Sequence, residues 1–231
     1  MIRWIARHGQ TVARRWRRPA AISMVVWTGG LLICFTVLWM GLNTYNTLRS
    51  LRATVDPLVS DALATGLVGD TKYGIHRAYT TEAPGSHGSG AIDVNLSPPY
   101  ATNTLEKNMQ TFLQHVYPSS TFPACPAPPI AGLNATAQSG MDAACAPYGF
   151  AWVPPAPWQS GYFLAGPIVI GDLQASTTQP PYTITLFGTT YQNPQPVVGA
   201  EVWIPVRFRL GTVPITTVVT APVFFAVGFQ S

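Results

Sequence analysis

Residues 20–42 read AAISMVVWTGGLLICFTVLWMGL, 23 positions without a charged side chain. As a helix rising about 1.5 Å per residue this run is roughly 34 Å long, enough to cross a hydrocarbon core of about 30 Å. Arg14, Arg15, Arg17 and Arg18 stand just before it, with Arg3 and Arg7 further out, and the chain turns polar after it at Asn43, Thr44 and Asn46. Arginines flanking a span are retained on the cytoplasmic side. The expectation is one span in the cell (inner) membrane, a basic cytoplasmic tail over 1–19 and an extracytoplasmic remainder. A cleaved secretory signal fits less well, because the apolar run exceeds the usual h-region of about 7–15 residues and no A-x-A site closes it. Cys34 lies inside the run and reads as a small packing residue.

The formal charge of +4 belongs to the tail. Six of the 13 Lys+Arg precede residue 20 and no Asp or Glu does, which leaves seven basic against nine acidic side chains beyond it. No cluster of Lys and Arg interleaved with aromatics follows the span, so nucleic-acid recognition is not expected. Trp4, Ile5, Val12 and Trp16 with the arginines could form an interfacial amphipathic helix, or the tail could be a topology signal alone.

Beyond the span the helical period continues. Tyr45, Leu48, Leu51 or Arg52, Val55, Leu58/Val59 and Ala62/Leu63 recur at three- and four-residue steps. Pro19 suits a first helical turn and Gly66 a C′ position. One helix over about 19–65 is predicted, near 70 Å long at about 1.5 Å per residue, with a kink one turn before Pro57. Its outer part, 43–66, carries a narrow apolar stripe that needs a partner, either the chain's own globular domain or neighbouring subunits.

The remainder, 67–231, reads as a small α+β head. Residues 67–101 are mostly irregular, with a flexible GSHGSG at 85–90 and a strand-like AIDVNL at 91–96. Asn103 with Glu106 resembles a capping box. Leu105, Met109, Phe112, Leu113 and Val116 then mark an amphipathic helix ending before Pro118. Prolines crowd 117–160, so an irregular excursion is expected there. Residues 162–170 and 182–190 are β-rich, 201–210 alternates, and 215–229 holds a last strand or two broken near Pro222. In the alternating run Val202, Ile204, Val206, Phe208 and Leu210 share one face, and Glu201, Trp203, Arg207 and Arg209 the other. Pro205 argues for an edge strand or a bulge. An antiparallel sheet with one face on the core is predicted.

Cys125 and Cys145 are the only cysteines outside the span. In an oxidising compartment they would form a structural disulfide, closing a loop worth roughly 3 kcal/mol on the chain-entropy argument. A metal or redox pair is the weaker alternative, since no His is near them in sequence and the spacing is not C-x-x-C. His76, His87 and His115 are scattered, the nine acidic residues are unpaired, and no nucleophile elbow, P-loop or dinucleotide turn occurs. No enzyme, cofactor, metal or small-molecule substrate is expected. Asn95-Leu-Ser97 and Asn134-Ala-Thr136 match the N-glycosylation triplet. Tyr148, Trp152, Trp158 and Tyr162 are candidates for an adhesive or subunit surface, or equally for a plug at the sheet's open end.

With these parts assembled, the N-terminal third resembles the type IV pilin superfamily, and within it the TadE/TadG-like pilus-assembly (tight adherence) proteins. The resemblance rests on Arg14–Arg18, on Ala20 and Ala21, and on the apolar run. It continues through Tyr45-x-x-Leu48-Arg49 and Asp56-x-x-Val59-x-x-Ala62-Leu63-Ala64-Thr65-Gly66. It implies a helix that enters the membrane at once, continues outside and ends before a β-containing head. One position departs: with cleavage after Ala20 the fifth residue is Val25, where a pilin usually carries Glu. Gly29, Gly30 and Gly41 would let helices approach closely, and with Tyr45, Leu48, Val55 and Val59 they form the expected helix-packing surface. The expected function is a minor pilin or pilin-like subunit of a surface filament, partnered by related subunits or by itself. The alternative is a bitopic scaffold of a secretion or conjugation apparatus whose head binds partner subunits.

Overall fold

The computed structural model describes residues 2–81, 92–94, 104–125, 128–146, 148–156, 158, 162–176, 180–210 and 212–226. The GSHGSG run, His87, the Asn95 triplet, Asn103 and the side chains of the arginine tail lie outside the described residues. The chain divides into two compact units, Met1–Thr47 and Leu48–Ser231. Helix α1 (Ile2–Val68) supplies the first and opens the second.

α1 is longer at both ends than its expected span of 19–65. Residues 1–19, expected as a tail, are helical from Ile2, and Pro19 lies inside the helix instead of in its first turn. At the other end Gly66 is helical, and Gly69 takes the left-handed turn at φ +84. Its N–H donates to Thr65 O at 2.9 Å. A side chain at Gly69 would sit 2.7 Å from Arg77 N, so only glycine fits this stop. Gly66 serves packing: a Cβ there would lie 3.1 Å from Met109 Cγ and 3.2 Å from Leu105 Cδ1.

After α1 come β1 (Tyr79–Thr81), β2 (Ile92–Val94), α2 (Thr104–Val116), α3 (Ala135–Cys145), β3 (Phe150–Trp152) and β4 (Ile168–Ser176). Then follow β5 (Tyr182–Leu186), β6 (Thr189–Asn193), β7 (Val197–Leu210) and β8 (Val213–Ala226). The main sheet is antiparallel in the order β3-β4-β7-β8, with β1-β2 and β5-β6 as separate hairpins. The expected α+β class therefore holds.

The alternating pattern of β7 sorts the layers. Val202, Ile204 and Val206 join one core with Phe150, Trp152, Ile168 and Ile170 from the sheet. The same core takes in Leu51, Val55, Val59, Ala62, Leu63 and Leu67 of α1, and Leu105, Met109, Phe112 and Leu113 of α2. Steps of three and four residues on both helices turn one apolar stripe of each toward the sheet. On the opposite face Val169, Trp203 and Val218 pack with Met141, Ala144 and Cys145 of α3. The sheet is thus covered on both sides, where a single core face was predicted.

Several strand expectations need correction. The run 182–190 is a hairpin and not one strand, because Phe187 (φ +50) and Gly188 (φ +71) form a tight turn. Of 162–170 only the last three residues are extended in β4. Pro205 lies in an inner strand with no bulge, paired to Val218. It is tolerated because β4 has ended at Ile168, which leaves no ladder for the missing N–H to break. Pro205 O accepts from Ala165 N–H at 2.9 Å and Arg207 N–H donates to Phe163 O at 2.7 Å, so odd-numbered β7 residues here turn their backbone away from β8. The register carries that parity across. Pro214 and Pro222, opposite Arg209 and Glu201, turn theirs to the open side of β8, which runs unbroken through Pro222. The bulge falls instead in β4, between Gly171 and Gln174, where Asp172 adopts φ +46.

Candidate functional site

Among the described residues the longest run of exposed large apolar side chains lies on α1, from Met24 to Leu42. Trp27 is 71%, Phe35 68% and Trp39 65% exposed, and Val25, Leu31, Leu32, Ile33 and Leu38 are exposed around them. These positions fall on every side of the helix, the composition of a helix meant for an apolar surrounding and not for one buried stripe. Its hydroxyls are internally satisfied: Thr28 Oγ1 donates to Met24 O at 2.9 Å and Thr36 Oγ1 to Leu32 O at 2.7 Å. Neither threonine hydroxyl of this run therefore needs water. Among the described residues this is the one helix long and apolar enough to cross a membrane. Cys34 is exposed on it with a free thiol.

The expected helix-packing surface separates into two parts. Side chains built at Gly29, Gly30 and Gly41 would meet nothing within 4 Å, and Tyr45 is 60% exposed. Leu48 is half-buried against the head, and Val55 and Val59 are wholly enclosed in its core. The outer stripe is therefore closed by the chain's own α2 and sheet, and Val55 and Val59 are not free for a second subunit. Asn108 fastens this junction, its Nδ2 donating to Gly66 O at 2.8 Å and to His76 O.

The aromatic set is taken up inside the head. Trp152 has no exposed surface, and its Nε1 donates to Ser120 Oγ at 2.9 Å. Tyr117, Trp152, Trp158 and Tyr162 follow one another ring to ring at 6.0, 5.5 and 4.9 Å. The series ends on α1, where Tyr162 Oη and Thr54 Oγ1 are hydrogen bonded at 2.8 Å. Tyr148 leans half-buried on the same core. Trp152 is thus enclosed, whereas Tyr148, Trp158 and Tyr162 are partly buried against the core.

Cys125 and Cys145 form a disulfide with Cα atoms 5.6 Å apart. It ties the proline-rich segment to the end of α3, a helix not expected there. Asn134 starts α3 as its N-cap, with Oδ1 accepting from Thr136 N at 2.7 Å and Ala137 N at 3.3 Å. The triplet that reads as a glycosylation acceptor thus uses its amide as a helix cap, and that cap before an Ala-rich run was the available signal for α3. α3 approaches the sheet through glycines: a Cβ at Gly140 would lie 2.6 Å from Trp203 Cη2, and one at Gly171 2.0 Å from Ala144 O.

Two polar residues that the sequence left unassigned organise the sheet's far side. Glu201, buried at 8% exposure, accepts from Trp203 Nε1 at 3.1 Å and from Phe187 N–H. Gln174 binds β5 at Thr185. Glu201 holds the β5–β6 turn at Phe187 and Gln174 holds β5 itself, both legible only once the bulge is known. Burial raises the Glu106 carboxyl above its ordinary value, and the Gln110 amide partly offsets this. Arg52 and Asp56 pair at 3.2 Å on α1. The His115 and Tyr73 rings meet at 4.4 Å, tilted by 52°. Among the described residues no three His, Cys, Asp or Glu side chains gather to hold a metal. Comparison with protein families, with curated proteins and with solved structures finds no match.

Proposed function

We propose that this chain is a structural subunit held by one N-terminal membrane helix, a minor pilin or TadE-like component of a surface filament. The observation that carries the reading is α1 itself. From Met24 to Leu42 it is apolar on all sides and uncovered, whereas from Leu51 its stripe belongs to a folded head. Such a helix requires lipid or the apolar flanks of other helices around its first part, and Gly29, Gly30 and Gly41 offer flat places for close approach. The arginines of the tail support a cytoplasmic N-terminus. The Cys125–Cys145 bridge supports a head on the oxidising side. The partners are the bilayer and other pilin-like or envelope subunits.

The second reading, a bitopic scaffold of a secretion or conjugation apparatus, is favoured by Val25 at the position where a processed pilin usually carries Glu. N-terminal sequencing of the mature protein separates the two. Loss of about 20 residues, with the chain recovered from sheared surface filaments, is the expected result for the pilin. An intact tail in a protein confined to membrane fractions favours the scaffold. Thiol labelling or protease access that finds the head in the cytosol defeats both.

A further inference from the structure

We infer that the open edge of β8 is a self-pairing surface, on which a second copy of this chain adds its own β8 antiparallel to the first. β8 has 14 residues, at least twice the usual strand length of about 5–6, and stands at the end of the sheet order. By the parity set at Pro205, the backbone groups of Pro214, Thr216, Val218, Thr220 and Pro222 point away from β7. Among the described residues no backbone hydrogen bond reaches them from another segment. Edges of this length are ordinarily blunted by charge, yet no charged residue follows Arg209. Prolines close the two ends of the window instead. Between them three donors, on Thr216, Val218 and Thr220, are free to pair.

What commits the edge to a second copy is its near-palindrome. Residues 214–222 read PITTVVTAP, centred on Val218. A twofold axis at Val218 sets Thr216 opposite Thr220 of the partner subunit, Val218 opposite the partner's Val218, and Pro214 opposite the partner's Pro222. All three central pairs are of the hydrogen-bonded kind, which gives six new backbone bonds. The prolines, which have no N–H to offer, face one another. The cross-strand pairs are Thr–Thr and Val–Val, combinations that favour antiparallel pairing, and the contact is closed and isologous. The side chains of Ile215 through Val219 are half-buried in the single chain, so pairing covers apolar area on both faces. This contact owes nothing to the filament reading: it is a property of the head, with or without α1 in a membrane.

The test uses the full chain in detergent micelles with Cys34 replaced by Ala. Val218→Cys places thiols on residues about 5.5 Å apart at Cα, within the disulfide range of about 4.4–6.8 Å. Mild oxidation is expected to give a covalent dimer. Thr216→Cys alone should stay monomeric, and a mixture of Thr216→Cys with Thr220→Cys should cross-link. Thr220→Pro removes an outward N–H without touching the β7 ladder. By symmetry it deletes two hydrogen bonds, so dimer affinity should fall at least about tenfold, with an unchanged circular dichroism spectrum. A wild-type chain that stays monomeric at all concentrations overturns the inference. So does association that survives Thr220→Pro, or a Val218→Cys chain with Cys34 restored that cross-links at Cys34 while the thiol at position 218 stays reduced. The last outcome would assign association to α1.

Discussion

Gln174 joins β4 to Thr185 of β5 as a strand would, but through its side chain. Its Nε2 donates to Thr185 O at 2.7 Å while its Oε1 accepts from Thr185 N at 2.9 Å. The same Nε2 donates to Asp172 Oδ2 at 2.7 Å, so the amide also braces the left-handed residue of the bulge. Gln174→Ala should lower stability by about 1.5–3 kcal/mol, the loss of three side-chain hydrogen bonds at a partly exposed site. Amide exchange would show the Thr185 N–H losing protection while the β7–β8 ladder keeps its own. Equal loss in both places would mean that the bulge is not a separate element.

Gly171→Ala tests the close approach of α3. The added methyl would meet Ala144 O, a backbone atom, at 2.0 Å. Overpacking of this kind costs about 1–3 kcal/mol, read as a lower denaturation midpoint. Gly41→Ala is the contrast, because nothing lies within 4 Å of its Cβ position. It should leave head stability unchanged and impair only assembly if helices meet there.

Removing the Cys125–Cys145 bridge by paired serine substitution should cost about 3 kcal/mol, as expected for a loop of this length. A protease of broad specificity such as proteinase K should then cut first between residues 128 and 134, ahead of any strand. A wild-type cutting pattern in the variant would show that packing on Trp203 alone holds α3.

Ser120→Ala would leave the Trp152 indole N–H buried with no acceptor, a loss of about 1–3 kcal/mol. Adding Trp152→Phe should then cost less than the two single changes summed, since the orphaned donor disappears with it. Strict additivity would show that the bond at 2.9 Å contributes nothing.

Glu106 sets a pH dependence. Burial raises its folded-state pKa above the ordinary 4.5, so just above that pH the folded chain keeps a proton that the unfolded chain has lost. Its contribution is most favourable below 4.5 and declines as pH rises through the raised value. Glu106→Gln should therefore gain in stability relative to wild type as pH climbs through this window, and hold the gain at higher pH. A difference that stays flat with pH would contradict the burial.

What sequence could reveal followed from periodicity acting over many residues. The apolar run of α1, the stripe of α2 from Leu105 to Leu113 and the inward face of β7 at Val202, Ile204 and Val206 all needed only local pattern. The pairing of Cys125 with Cys145 needed only that no third cysteine compete outside the span. Misreadings arose where a residue's role is set by a distant neighbour. Gly66 and Gly69 are alike as helix stops, and only the position of Met109 assigns one to packing and the other to the turn. Pro205 is admitted to an inner strand because another strand ends beside it. α3 was hidden by the prolines around it, although Asn134 marks its start. The packing of the aromatic series was not legible from composition, because Thr54, where it ends, is some hundred residues away in the chain.

One consequence concerns release. Leu51, Val55, Val59, Ala62, Leu63 and Leu67 supply six of the buried side chains in the larger core. A protease that freed a functional head from its anchor would have to cut before Leu48, because a cut nearer the strands would take away part of the interior and leave a product that cannot stay folded. A soluble form of this protein therefore has to carry a stub of its own stalk.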